Sequence, residues 1–310
     1  MKIVFLDTDT TGNDVDLSGF DCLGEVVKYG FSTEEEAAER AKEADILIVK
    51  SVPVNEKTIG TAEHLKLVCV LATGTNNLDK EYLDRRGIVW RNVPGFSTET
   101  VAQHTFALLF YLLEKMNYYD TYVKSGAYIK NKYFTHFTNV FHELSGKVWG
   151  IIGMGTIGRR VAEIARLFGC RVIYYSTSGK NNQQDYERVD WDTLLTESDI
   201  VSVHAPLNED TRDLIDAGAF AKMKRTAIFI NVGRGPIVVE QDLYEALEKG
   251  EIQAAGLDVL REEPMSENNP LFQIKDSDKL VITPHIAGSS IEARMRSVQV
   301  VREQVEEFLS

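Results

Sequence analysis

Two α/β units built on parallel sheets are the fold that the sequence predicts, and three observations carry it. Short apolar runs rich in β-branched residues alternate with helical stretches through most of the chain, the pattern of βα units. Those runs are apolar at successive positions instead of alternating with polar residues, which fits strands covered on both faces. The length, 310 residues, suits two domains at roughly 100–200 residues each.

In the first half the predicted strands are "KIVFLD", "DILIVK", "LKLVCVLAT" and "GIVWRNVP", with the helical stretch "TEEEAAERAKEA" among them. Pro94 and Gly95 then break the chain, and Ser97 or Thr98 can cap the long helix of "TETVAQHTFALLFYLLEK" that follows. The second half supplies "KVWGIIG", "RVIYYS", "DIVSVHA", "AIFINVG", "QAAGLDV" and "LVITPH" as strands, and "EQDLYEALEKG" as a helix. "HIAGSS" reads as a return crossing, and "SSIEARMRSVQVVREQVEEFLS" as a terminal amphipathic helix. The expected boundaries are therefore residues 1–97 with 287–310 for one, discontinuous domain and 98–286 for the other. "KEADILIVK" and "TESDIVSVH" resemble each other. Shared βα physics accounts for that without a true repeat. A cleft between two such domains is the expected small-molecule site.

The charge balance narrows the partners. Thirty-four bases against 47 acids give a net charge of −13, and no basic run interrupts it. Nucleic acid and anionic membrane are poor candidates for such a chain, and the acidity reads as solubility. "MKIVFLD" ends in Asp7 and reads as a strand, so no secretory leader is expected. "FALLFYLL" falls far short of the ~18 residues that span a bilayer. Cys22, Cys69 and Cys170 are scattered and odd in number, which predicts neither a disulfide framework nor a metal site. A reducing, cytoplasmic setting is the expectation.

"GMGTIG" is the strongest local motif. It places Gly153, Gly155 and Gly158 after the strand "KVWGII" and at the start of the helix "TIGRRVAEIARLFG". That context predicts a Rossmann-type doubly wound sheet with a dinucleotide at its switch point. Gly153 permits the turn, Gly155 lets backbone approach the pyrophosphate, and Gly158 lets helix and strand pack closely. The helix N-terminus offers its N–H groups to phosphate. About 20 residues further on, an acid would bind the ribose 2′-hydroxyl of NAD. Here the strand ends "YYSTSGK", with Ser176 near that position and Lys180 shortly after. Hydroxyls and an ammonium suit a 2′-phosphate that a carboxylate would repel. NADP is therefore expected to be accepted, with the preference between NAD and NADP left open: Ser176 could equally bond an NAD ribose, with Lys180 a solvated loop charge.

Three later strands end in titratable residues, at the edge where open α/β sheets bind ligands. "INVGRGPIV" carries Arg234, "LDVLREEP" carries Asp258, Glu262 and Glu263, and "VITPHIAG" carries His285. Each has a plain reading when taken alone: a surface arginine, a solvated acidic pair, a structural histidine.

Taken together, "VLATGTNNLD", "NVPGFSTETVAQHTFALL", "ELSGKVWGIIGMGTIG", "HAPLNEDTRDLI", "INVGRGPIV", "GLDVLREEP" and "TPHIAGSS" make the chain resemble the D-isomer-specific 2-hydroxyacid dehydrogenase family over essentially its whole length. "ATGTNN" and "VAQHTFALL" look most like the hydroxypyruvate reductase, or glycerate dehydrogenase, branch. The resemblance implies a flavodoxin-like substrate domain beside the dinucleotide domain, and NAD(P)-dependent reduction of a small 2-oxo acid such as hydroxypyruvate or glyoxylate. It implies that Arg234 binds the substrate carboxylate and polarises the keto oxygen. His285 would protonate that oxygen, and Glu263 would hydrogen-bond His285 and keep it protonated. The backbone of Ala72, Thr73 and Gly74 would grip the carboxylate. The dinucleotide would lie along Gly153, Met154, Gly155, Thr156, Ile157 and Gly158, with Ser176, Lys180, His204, Ala205, Pro206, Val232, Gly233 and Gly288 beside it. Asp258 would bind the nicotinamide carboxamide, and Thr100 would sit near that ring. His204 is expected to offer backbone contacts rather than catalysis, and His104 to serve packing or a hinge. A homodimer is also implied, with "TVAQHTFALLFYLLEKMNYY" as a possible interface helix.

The chain departs from the family pattern at three places. Gly288 stands where glycerate-type relatives often carry Trp, leaving more room at the substrate end. Val239 replaces a usual Asp, and "YIKNKYFTHFTNVFHEL" has no counterpart that assigns a role to residues 128–142. Rival readings are 3-phosphoglycerate dehydrogenase, which would need cations for its phosphate and often adds a regulatory domain for which no room is expected after Ser310, and formate dehydrogenase, whose histidine pairs with an amide instead of an acid such as Glu263. A dinucleotide-sensing corepressor on the same scaffold is the reading from outside enzymes; the absence of basic or extended segments speaks against it.

Overall fold

A computed structural model describes residues 1–182 and 185–310, which separate into two units: residues 1–97 with 288–310, and residues 98–287.

The first unit begins with β1 (Lys2–Phe5), β2 (Glu25–Lys28), α1 (Glu34–Ala41), β3 (Ile46–Val49), α2 (Glu56–Ile59), β4 (Leu67–Val70), α3 (Lys80–Arg86) and β5 (Val89–Arg91). Its strands are parallel in the order β2-β1-β3-β4-β5, the flavodoxin-like order. β3 and β4 are buried at every position, so successive side chains feed opposite faces. Val4, Leu47, Val49, Val68 and Val70 enter one core. Ile3, Phe5, Ile46, Ile48, Leu67 and Cys69 enter the other. Local sequence sets the helix ends: Thr33 and Glu36 form a capping box on α1, and Gly87 closes α3 at φ +66°.

The second unit runs through α4 (Thr98–Leu113), α5 (Met116–Lys124), β6 (Val148–Ile152), α6 (Thr156–Leu167), β7 (Arg171–Tyr175), β8 (Glu187–Arg188), α7 (Trp191–Glu197), β9 (Ile200–Val203), α8 (Ala217–Lys222), β10 (Ile228–Asn231), α9 (Glu240–Lys249), β11 (Ala254–Leu257) and β12 (Leu280–Ile282). All seven strands are parallel, in the order β12-β11-β10-β9-β6-β7-β8. The order reverses between β6 and β9, which is the doubly wound arrangement with its ligand crevice at the carboxyl ends of those strands. α4 packs against α6, β10 and β11 and buries Val101, Leu108, Leu109 and Leu112. The last helix, α10 (Ile291–Leu309), is capped by Ser290 and returns to the first unit, where Val298, Val301 and Val305 join the second core.

Two features differ from the sequence expectation, and a third concerns a segment to which the sequence assigned no role. β2 and β8 are strands that no apolar run marks; both lie at sheet edges, and neither buries a residue. The helix after Pro94 is interrupted, because Lys115 adopts φ +54° and separates α4 from α5. Residues 128–142 form only a short 3-10 turn and leave Ile129, Phe134 and Phe137 more than 80% exposed. No helix of the described residues is long and apolar enough to cross a membrane.

Candidate active site

The glycine motif folds as its spacing requires. Gly153 has φ +93°, and a Cβ on Gly158 would stand 2.3 Å from the Gly153 carbonyl oxygen, so α6 can cross β6 only without that atom. Gly155 differs: a Cβ there meets nothing within 4 Å. It caps α6 without a side-chain bond, leaving the helix's first N–H groups and dipole open to an anion. The motif therefore fits a dinucleotide pyrophosphate. Met154 is fully buried in the core, so it can offer a ligand only its backbone. Ala205 and Val232 are buried as well, whereas Pro206, Thr156 and Gly233 reach the surface at least in part.

The residues expected to be catalytic, Arg234, Glu263 and His285, lie on loops at the carboxyl ends of β10, β11 and β12. After β10, the Asn231 side chain braces the turn: Oδ1 accepts from Gly233 N and Nδ2 donates to the Arg234 carbonyl, both at 3.0 Å. Burial pushes the Arg234 guanidinium below its usual range, and the charge of Glu263 opposes that shift. Gly235 brings this turn against the next loop so closely that a Cβ would lie 1.9 Å from Leu260 backbone atoms. Leu260 N in turn donates to Glu263 Oε1 at 2.7 Å. Glu263 Oε2 lies 2.6 Å from His285 Nδ1. Burial raises the Glu263 carboxyl, but the bonds from His285 and Leu260 outweigh it and leave the group below its ordinary value. A carboxylate only accepts hydrogen bonds. His285 Nδ1 therefore carries a proton, and Nε2 is left to exchange one with a ligand.

His285 itself sits at φ +54°, a left-handed conformation that a β-carbon resists. Asp258 enforces it. Its backbone oxygen accepts from His285 N at 2.9 Å. Its carboxylate accepts from Ile286 N and Ala287 N at 2.8 Å and from Thr283 Oγ1 at 2.6 Å. Burial raises the Asp258 carboxyl, yet His104, Thr283 and those two amides bring it below the usual carboxylate range. Thr100 Oγ1 completes the clasp by donating to Ala287 O at 3.0 Å.

The sequence reading placed Asp258 and Thr100 near the nicotinamide; in this structure their side chains also brace the turn that carries His285. It also missed His104, Thr283 and Asn231 as the braces. His104 Nε2 is 2.9 Å from Thr283 Oγ1, a role closer to support than to the expected packing. The motifs "INVGRG" and "TPHIAG" contained Asn231 and Thr283, and "VAQHTFALL" contained His104, but nothing in the sequence says that a strand-end Thr and a helix His meet.

His204 is not an acid–base group. Its Nε2 bonds Ser202 Oγ at 3.0 Å, Ser202 Oγ accepts from Trp149 Nε1 at 2.8 Å, and burial pushes the imidazole down to about 3. A group held that low is neutral near pH 7. Its Nδ1 and the Ser176 hydroxyl are buried without a hydrogen-bond partner among the described residues. Lys180 is exposed on the loop after β7, where its N–H rests on Ser178 Oγ.

Within the first unit, Ala72, Thr73 and Gly74 follow β4. Thr73 Oγ1 donates to Val93 O at 2.9 Å and Asn92 Nδ2 to Thr73 O at 2.7 Å, so the Thr73 side chain is tied back and the turn has backbone N–H groups to offer. Gly288 opens the return segment, with Ser97 its nearest neighbour for a Cβ at 3.5 Å.

Comparison with known proteins adds four findings. Residues 106–287 match the model of the D-isomer-specific 2-hydroxyacid dehydrogenase NAD-binding domain. The hydroxypyruvate reductase of Blautia hydrogenotrophica is 35% identical over 316 residues, covering 100% of this chain and 97% of that protein. The glyoxylate reductase of Aeropyrum pernix is 37% identical over 286 residues, covering 91% of this chain and 84% of its own. The solved structure of the acyclic imino acid reductase Bsp5 in complex with NADPH and D-Arg is similar at a TM-score of 0.89 and 31% identity, covering 100% of this chain and 97% of that one.

Proposed function

The chain belongs to the D-isomer-specific 2-hydroxyacid dehydrogenase family, and on that premise we propose that it reduces hydroxypyruvate or glyoxylate to the D-2-hydroxy acid with NAD(P)H. The observation that carries the reading is the 2.6 Å pair of His285 and Glu263, set on the strand ends of the unit that also holds the fitted glycine motif. In this reading residues 98–286 bind the dinucleotide, and residues 1–97 with 287–310 form the substrate domain.

Each group has a part. The guanidinium of Arg234 binds the substrate carboxylate and draws charge towards the keto oxygen. The backbone N–H groups of Ala72, Thr73 and Gly74 are the other carboxylate donors. His285 Nε2 gives its proton to the oxygen as it becomes a hydroxyl, and takes one back in the reverse direction. Glu263 holds the ring in the tautomer that faces Nε2 outward and stabilises the positive charge before transfer. When bound, the nicotinamide supplies the hydride to the carbonyl carbon, and the protein contributes orientation and charge. Backbone at Gly153–Gly158, Ala205, Pro206, Val232 and Gly233 lies along the dinucleotide. NADPH is accepted as well as NADH, because the end of β7 carries Ser176 and no carboxylate. Gly288 leaves space for a substrate side chain.

A cytoplasmic homodimer is part of the same reading. The exposed run at Ile129, Phe134 and Phe137 supports the assembly better than α4, whose apolar residues are buried within their own unit. A light-scattering mass equal to one chain would contradict it. The deciding experiment for the activity is a steady-state comparison of NADH and NADPH across hydroxypyruvate, glyoxylate, pyruvate and 2-oxoglutarate. Turnover of the first two confirms the assignment, and no turnover of any of the four sinks it.

A further inference from the structure

A pocket of about 540 Å³ opens at the carboxyl end of β7, lined by residues that include Tyr175, Ser176, Ser178, Arg188 and Asp210. Two features of it call for a ligand. Ser176 is only 4% exposed, yet its hydroxyl has no hydrogen-bond partner among the described residues. A buried hydroxyl left unmet is destabilising, so a site that retains one gains when a ligand supplies the bond. The second feature is a cation that the end of β7 does not itself provide. β8 lies parallel to β7, with Arg188 opposite Tyr174. Arg188 NH1 donates to Gly179 O at 3.1 Å and to Asn182 Oδ1 at 3.0 Å. These bonds draw the guanidinium onto the loop after β7 and into the pocket lining, so little side-chain freedom remains to be lost on binding.

The end of this strand is where a doubly wound sheet meets the ribose 2′ position of a dinucleotide. A guanidinium and a buried hydroxyl in one pocket lining are the donor set of a phosphate monoester, which a planar fork binds through two charge-assisted bonds. Asp210 is the acid in the lining. It is exposed on the loop after β9, so water screens its charge; it moderates the attraction without reversing it.

We propose that Arg188, with the Ser176 hydroxyl, forms a 2′-phosphate subsite that makes the protein bind NADPH more tightly than NADH. The proposal rests on the dinucleotide reading above. It assigns the discriminating cation to Arg188 on an edge strand, not to Lys180 on the loop. Arg188 acts on cofactor choice and takes no part in proton transfer.

Calorimetric titration of the purified protein with NADPH and with NADH, for wild type, Arg188→Ala and Arg188→Lys, tests it. The wild type binds NADPH more tightly. Arg188→Ala lowers the ratio of NADPH to NADH affinity by about tenfold, the scale of a lost charge-assisted bond. Arg188→Lys, which keeps the charge and loses the fork, recovers part of that ratio. A wild type that prefers NADH, a ratio unmoved by Arg188→Ala, or an equal loss for both nucleotides would overturn the proposal; the last would show that Arg188 only supports the loop. Those three outcomes leave the dehydrogenase reading standing. Failure of the wild type to bind either nucleotide would instead remove the dinucleotide reading, and this proposal with it.

Discussion

His285 Nδ1 and Glu263 Oε2 are 2.6 Å apart, although they belong to loops that follow different strands: Leu260 N holds Glu263, and Asp258 holds the turn of His285. The pair is thus pre-formed, and its two halves can be removed separately. His285→Ala takes away the proton donor and is expected to lower kcat for reduction by about 10²–10⁴-fold. Glu263→Gln keeps one acceptor oxygen, which can serve either Leu260 N or the ring but not both, and removes the charge, so a smaller loss of about tenfold is expected. Equal effects from the two variants would show that Glu263 does more than orient and charge-stabilise the ring.

The same carboxyl makes an acid-side prediction about stability. Glu263 is held below its ordinary value, so near pH 4 the unfolded chain binds more protons at this group than the native one does. Its contribution is complete above the unfolded value, about 4.3, and drains away as pH falls through the lower folded value. Denaturant midpoints measured from pH 6 to pH 3 should fall more steeply for wild type than for Glu263→Gln. Parallel curves would mean that the bond adds nothing to the native state.

Asp258→Ala would strand the Ile286 and Ala287 amides and the Thr283 hydroxyl in a site where Asp258 is 1% exposed. A loss of about 3 kcal/mol is expected from unmet buried donors, readable in urea unfolding. Because these bonds hold His285 at positive φ, kcat should fall as well, while Asp258→Asn, which retains one acceptor, recovers part of both. Full activity in Asp258→Ala would show that the left-handed turn is held by something else.

Two glycines four residues or fewer from each other should fail in different ways. Gly158→Ala pushes a methyl into the Gly153 carbonyl and should cost about 1–3 kcal/mol of stability. Gly155→Ala places its methyl in open space at ordinary φ, so it should cost no more than about 1 kcal/mol and yet weaken NADH and NADPH binding together. Thermal unfolding and calorimetry on both variants separate the cases; unchanged nucleotide affinity in Gly155→Ala would move the pyrophosphate elsewhere.

Val239 sits at the N-cap of α9 and makes no side-chain bond to the helix. Val239→Thr nearly preserves its shape and supplies the missing acceptor. A gain of about 1 kcal/mol in unfolding free energy is expected, with activity unchanged. A loss of stability would show that the methyl group removed was needed by the core.

What the sequence made legible follows burial. β1, β3 and β4, and likewise β6, β9 and β10, are mostly apolar runs because both faces of each sheet are covered, and each was readable on that ground. β2 and β8 stand at edges where nothing forces hydrophobicity, so "EVVK" and "ER" carry no signal. The break at Lys115 was hidden because apolar periodicity continues on both sides of it, and a single positive φ leaves no mark on composition. Within the site, Arg234, Glu263 and His285 were singled out through motifs joined by family resemblance, while the pairing of Glu263 with His285 needed coordinates to become a distance. Arg188 lay beyond reach for the same reason as β8: its place beside Ser176 depends on a two-residue strand pairing.

The return of α10 to the first unit has a consequence for how the chain is made. A ribosome releases residues in order, and domains commonly fold from the N-terminus as they emerge. Here the unit that is begun first cannot finish first. One of its two cores lacks Val298, Val301 and Val305 until the residues of α10 have been synthesised, whereas every strand and helix of residues 98–287 precedes them in the chain. The later-encoded unit is therefore the one placed to fold during synthesis, and the earlier one must wait, with the Ile3, Phe5, Ile46 and Ile48 face of its sheet uncovered, for the last helix to arrive.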